Sequence, residues 1–287
     1  MRVALHATND LCQNQAVQFS PTPSQPRSTR QRCLRIVLTA VAAVALLAAL
    51  WAGVLDRIEQ REFDQLVSDT RAAAPQSSPG TDDDVLRLMN RVNGLLKGIH
   101  VNQTEHSDST IPMTSSDEHL HNPIGACASY SHVLAKTLMS TGYEVRKVGL
   151  AKDSRRAIHH VIEVRRGDHW VLLDAFYDLA FRRRDGQLAS AEDVSRDWDW
   201  FRRQIPSGYN ADYDYSEFYY TNWGRLPVLG WLIRAWPWLE AKLNASGVSV
   251  RFWFFNTYRW IAGLAAFTSL VAWWLRSRLR CNSTPAA

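Results

Sequence analysis

Cysteine is scarce in this chain: four among 287 residues, at positions 12, 33, 127 and 281. Between residues 56 and 250 only Cys127 remains, so no disulfide can form within that stretch and a disulfide-stapled scaffold is excluded there. Charge is missing altogether from IVLTAVAAVALLAALWAGVL, residues Ile36 to Leu55. At 1.5 Å per residue, twenty apolar residues suffice to cross a bilayer core of ~30 Å. Internal repeats are also absent.

A second apolar run, FWFFNTYRWIAGLAAFTSLVAWWL from Phe252 to Leu275, is interrupted only by Asn256 and Arg259 near its start, where a long side chain can reach the interface. It is expected to be a second transmembrane helix. The basic excess, +5 net, is explained by its placement: Arg27, Arg30, Arg32 and Arg35 precede the first span, and Arg276, Arg278 and Arg280 follow the second. Such clusters collect on the cytoplasmic side. The expectation is therefore two cytoplasmic termini and an outer region from 56 to about 250, with a bacterial inner membrane as the site and the outer region periplasmic or extracellular. Nucleic acid is not an expected partner. A cleaved signal peptide is the rival reading of the first run, but its apolar core is long for one and some 35 residues precede it, which favours an uncleaved anchor.

Composition divides the rest. Residues 1–35 lack apolar periodicity and read as a disordered tail; 56–80 read as a helical linker that APQSSPG breaks. TDDDVLRLMNRVNGLLKG carries Val85, Leu88, Met89, Val92, Leu95 and Leu96 at helical spacing behind three aspartates suited to a helix amino terminus. Polar residues 100–122 read as a long loop. CASYSHVLAKTLMST follows as a helix with Cys127, Tyr130, Leu134 and Leu138 in one stripe, ending at Gly142. YEVRKVGL, HHVIEVRR and HWVLLDAF are strand-like, so the fold class is α+β, with a core at 81–197. Residues 198–250 are rich in Trp and Tyr and read as an extension that lies in the membrane interface or stacks on sugars. A span at 252–275 and a tail at 276–287 complete the chain.

The hairpin around Gly167 decides which side chains meet. With a turn centred on Arg166 and Gly167, paired residue numbers sum to 333 and His159 faces Asp174 about 5 Å away. With Gly167 and Asp168 in the turn, the sum is 335 and Asp174 faces Val161. The first register predicts an imidazole oriented by a carboxylate, and strand alternation puts His160 on the other face. A cysteine opening a helix gains from the helix dipole as a thiolate, and its backbone N–H is free to meet an oxyanion.

The ordered set G-x-C at a helix start, GYEVRKV, H-x-x-x-E-V and W-x-x-x-D resembles the transglutaminase-like superfamily over roughly residues 80 to 180. The resemblance implies a papain-related domain, with a Cys-bearing helix packed on an antiparallel sheet and the two spans flanking it. It also implies a catalytic triad of Cys127 as nucleophile, His159 as base and Asp174 as orienting acid. The implied activity is acyl transfer or hydrolysis at an amide or ester through a Cys thioester, with no substrate named; the two spans add the expectation of an envelope peptide, protein or glycan. No cofactor is expected. The same family holds members without activity, so a scaffold partnering an envelope or polysaccharide assembly is the alternative. His119 and His121, beside Asp117 and Glu118, lack a third well-placed ligand, so no metal is assigned. His121 or Asn122 is left as an alternative contributor to the oxyanion site.

Overall fold

A computed structural model of the chain describes residues 29–73, 78–98, 115–122, 126–151, 157–223, 229–247, 249 and 255–281. Of the tail expected to be disordered at 1–35, residues 29–35 are helical, while 1–28 with Cys12 and most of the 100–122 loop lie outside these residues.

Helix α1 spans Thr29–Ala72, and its amino-terminal half is long and apolar enough to cross a bilayer. It does not end where the apolar run ends. Past Leu55 the same helix turns amphipathic, and Phe63, Leu66 and Val67 are buried in the core. The segment expected to be a linker is thus part of the folded domain, because its apolar residues recur at helical spacing against the next helix. Helix α2, Asp82–Gly98, buries Val85, Leu88, Met89, Val92 and Leu96 as the periodicity predicts. A two-pronged bond joins them: Arg71 donates through Nε and Nη2 to Asp84 at 2.9 and 2.7 Å. Short helix α3, Ser116–His121, lies where the sequence suggests only loop. Helix α4, Ala126–Ser140, buries Tyr130, Leu134 and Leu138 in one stripe and is closed by Gly142, whose φ of 87° suits the residue after a helix end.

The sheet is antiparallel, four strands in the order β3-β2-β1-β4: β1 Val145–Ala151, β2 Ala157–Arg166, β3 His169–Leu173 and β4 Phe218–Tyr219. Both faces are covered, which explains strands that read as nearly continuous apolar runs. On one face Val145, Ile162, Val164, Val171 and Leu173 pack against α1, α2 and α4. On the other, Val148, Leu150, Val161 and Leu172 pack against Phe181, Val194, Phe201, Tyr215 and Tyr220 from the later chain. Helices α5, Ala191–Arg196, and α6, Trp198–Phe201, belong to that second layer. Residues 198–223 are therefore integral to the α+β domain rather than an extension: β4 pairs with β1, and Tyr215 is fully buried.

Beyond them come α7, Leu229–Ala235, and α8, Pro237–Ala245, which leave Trp231, Trp236 and Trp238 exposed. Helix α9, Thr257–Cys281, returns along α1; Ser269 donates to the Ala42 carbonyl at 2.9 Å and Arg259 pairs with Asp56 at 3.0 Å.

Candidate active site

Strands β2 and β3 meet in a two-residue turn of Gly167 and Asp168, with Gly167 at φ 59° and Arg166 paired to His169. Glycine at the first turn position allows the twist that suits a tight hairpin. Every pair in the ladder then sums to 335, as Ile162 with Leu173 does, so the register of 333 is corrected: Asp174 lies level with Val161, not His159. The two registers differ by two residues, which keeps the same face. The contact survives as a diagonal one. His159 Nε2 donates to Asp174 Oδ2 at 2.7 Å, with both side chains buried.

Two local features aim these side chains. In β2 the pairing to β1 slips between Leu150 with His159 and Ala151 with Ala157, leaving Ile158 as an extra residue just before His159. A bulge of this kind bends the strand and re-aims its neighbour. Asp174 leaves β3 in a tight loop closed by its bridge to Leu179, with Asp178 at φ 51°. Within that loop the N–H groups of Phe176 and Tyr177 donate to Asp174 Oδ1 at 3.1 and 3.3 Å. Helix α2 holds the loop from outside: Asn93 donates to the carbonyls of Ala175 and Phe176 at 2.8 and 3.0 Å, and Asn90 donates to Asp178 at 2.7 Å.

The carboxylate takes a fourth donor. Tyr215, fully buried, gives its O–H to Asp174 Oδ2 at 3.2 Å. Burial and the Asp174 charge push the Tyr215 phenol well above its ordinary pKa, so it remains a donor. Tyr213 lies flat on the imidazole of His159, ring centroids 4.3 Å apart and 10° between planes, while Phe176 and Tyr177 close its sides. The aromatic tract that the sequence suggested for a membrane or a sugar surface thus supplies, in Tyr213 and Tyr215, the walls of this site. The period-2 spacing of the two tyrosines was the available signal, hidden by the surrounding aspartates.

Cys127 sits in the first turn of α4 and is partly exposed. Ser131, one turn on, places its hydroxyl between the Cys127 carbonyl, at 2.7 Å, and the His160 carbonyl. That single oxygen ties the start of the Cys helix to the strand carrying His159. Burial alone would press the His159 imidazole below its ordinary value. The Asp174 charge and hydrogen bond, joined by the contact with the Cys127 sulfur, raise it instead to about 10. Nε2 is committed to Asp174, and Nδ1 makes no hydrogen bond of normal geometry, which leaves that nitrogen for the thiol. Tyr213, too, has its phenol pushed up to about 12, first by burial and then by its closeness to Cys127.

The other histidines divide. His119 is buried, with Nδ1 3.1 Å from Ser129 Oγ and its ring 4.5 Å from that of His132. His121 is exposed and 3.3 Å from Glu62, and Asn122 donates to Glu118 at 3.3 Å. His119 and His121 therefore do not converge, and no group of three metal-binding side chains occurs among the described residues. The His121 and Asn122 side chains are instead engaged by Glu62 and Glu118. His160 is buried on the α4 face of the sheet, as alternation requires.

Comparison of the chain with protein-family models, curated proteins and solved structures finds no match. Its geometry alone carries the functional argument.

Proposed function

We propose that the protein is a membrane-anchored, transglutaminase-like thiol enzyme that transfers or hydrolyses acyl groups at an amide or ester of an envelope peptide, protein or glycan. The observation that carries this reading is the buried His159–Asp174 pair, 2.7 Å between nitrogen and oxygen, beside a partly exposed thiol in the first turn of a helix.

In the proposed reaction the Cys127 thiolate attacks the carbonyl carbon, and the oxyanion that forms is met by the N–H of Cys127 at the helix start. Collapse breaks the C–N or C–O bond as imidazolium Nδ1–H protonates the leaving group, giving a thioester and a neutral imidazole. Water or an amine then attacks the thioester, gives its proton to His159, and expels the thiolate. Asp174 keeps the ring oriented with Nδ1 toward the sulfur throughout.

The anchoring follows the arginines. Both α1 and α9 cross the membrane, their arginine-rich ends cytoplasmic, and the α+β domain faces the periplasm or exterior of a bacterial inner membrane. Exposed Trp231, Trp236 and Trp238, on α7, α8 and the residue between them, support a second reading, a non-catalytic contact surface in an envelope assembly. Mass spectrometry of the full chain after incubation with activated esters and primary amines separates the two. An acyl adduct on Cys127 that amines discharge, and that His159→Ala abolishes, is the expected result; no adduct with any ester would leave the scaffold.

A further inference from the structure

Charge on the two long helices is one-sided. Neither α1 as far as Leu55 nor any part of α9 contains an Asp or Glu, while Arg30, Arg32, Arg35, Arg276, Arg278 and Arg280 gather at one end of the pair. The first carboxylate on α1, Asp56, lies at the far side of the apolar run and is held by Arg259. At the arginine end lies an open cleft of about 450 Å³. Arg32, Arg35 and Arg276 line it together with the apolar Ile36, Ala40 and Ala43. Arg35 also donates to the Leu279 carbonyl near the end of α9.

We infer that this cleft binds an anionic phospholipid, its phosphate among Arg32, Arg35 and Arg276 and an acyl chain along Ile36, Ala40 and Ala43. Guanidinium groups match a phosphate with paired donors, and no Asp or Glu stands within either helix at this end to compete for them. The apolar side chains lining the same cleft select a headgroup with a hydrocarbon tail over a free ion. Basic pockets between spans at the cytoplasmic surface suit this ligand class. The inference rests on the reading of α1 and α9 as transmembrane, and not on any enzymatic activity.

The test uses the full chain in detergent with phosphatidylglycerol, phosphatidylcholine and inorganic phosphate as probes, followed by native mass spectrometry. Phosphatidylglycerol is expected to bind at least about tenfold more tightly than phosphatidylcholine. The preference should vanish in Arg32→Gln/Arg276→Gln and persist in Arg30→Gln/Arg278→Gln, which removes the same charge outside the cleft. A photoactivatable phosphatidylglycerol should crosslink within residues 32–43 or at Arg276 in the native chain, a readout independent of how the variants fold. Equal binding of the two lipids, equal loss in both double variants, crosslinks elsewhere, or full competition by inorganic phosphate would each overturn the lipid site. Purification without detergent, and without any bound lipid, would instead refute the transmembrane reading beneath it.

Discussion

The two faces of the sheet bury histidines to opposite effect. On the face covered by residues 179–220, His159 meets Asp174 and is raised to about 10, although burial opposes its charge. On the α4 side, His119 is lowered to about 4, first by burial and then by the Lys147 cation, with Asp117 opposing weakly. Both rings are almost wholly out of water. Burial pushes both rings down and prevails at His119. At His159 the adjacent carboxylate, steadied by its own donors, reverses the sign and favours an imidazolium that can face a thiol. The α4 side uses its own ion pair structurally: Lys136 and Glu59, both buried, lie 2.7 Å apart and join the Cys helix to α1.

The strongest way to break this contrast is Asp174→Asn. It leaves a buried imidazole without its counter-charge and is expected to cost about 3–5 kcal/mol, read by denaturant unfolding. The effect depends on pH with a defined sign. Because the folded His159 pKa is raised, the pair's contribution is complete below about pH 6.5 and is lost as pH rises through about 10. The gap between native and Asp174→Asn stability should narrow over that window. On the opposite face, Lys136→Met strands Glu59, whose carboxyl burial already pushes upward, and is expected to cost about 3 kcal/mol. Replacing both as Glu59→Leu/Lys136→Met should restore most of that loss, since the pair is structural and has no chemistry to perform.

Tyr215→Phe sharpens the contrast without breaking it. Removing one donor from a buried carboxylate is expected to cost about 2 kcal/mol and to raise the pH at which His159 loses its proton, because the carboxylate then concentrates its charge on the imidazolium, which an NMR titration of the ring would register. A purely space-filling tyrosine would leave that titration unmoved. The smallest effect belongs to His119. Its lowered pKa makes the native fold lose stability as pH falls from about 6.5 toward 4, by about 1 kcal/mol at pH 5.5, and His119→Gln should flatten that acid slope.

Much of this arrangement was legible in the chain. The stripes in α2 and α4 marked their buried faces, and alternation separated His159 from His160 correctly even though the register was off by two, because a shift of two preserves the face. Gly167 was the clue to the true turn, since both favoured hairpin turns need positive φ at the first central position, which Gly167 supplies and Arg166 would resist. Other parts were not legible from local pattern. Asn90 and Asn93 look like the polar side of an amphipathic helix until their partners, more than eighty residues away, are known. Tyr213 and Tyr215 were lost among tyrosines and tryptophans that equally suit a bilayer interface, and their role depends on the second layer folding over β2. The outer half of α1 read as a linker because its apolar residues are sparse, yet they complete the core beneath α2.

The central claim, that a charged His159 held by Asp174 activates Cys127, is met most directly by the rate of Cys127 alkylation against pH. The full chain would carry Ser at positions 12, 33 and 281 and be compared with His159→Ala and Asp174→Asn. Rapid labelling that persists well below pH 8 in the native protein, and falls by on the order of a hundredfold at pH 6 in either variant, is the predicted outcome. Labelling equally slow in all three proteins would contradict it.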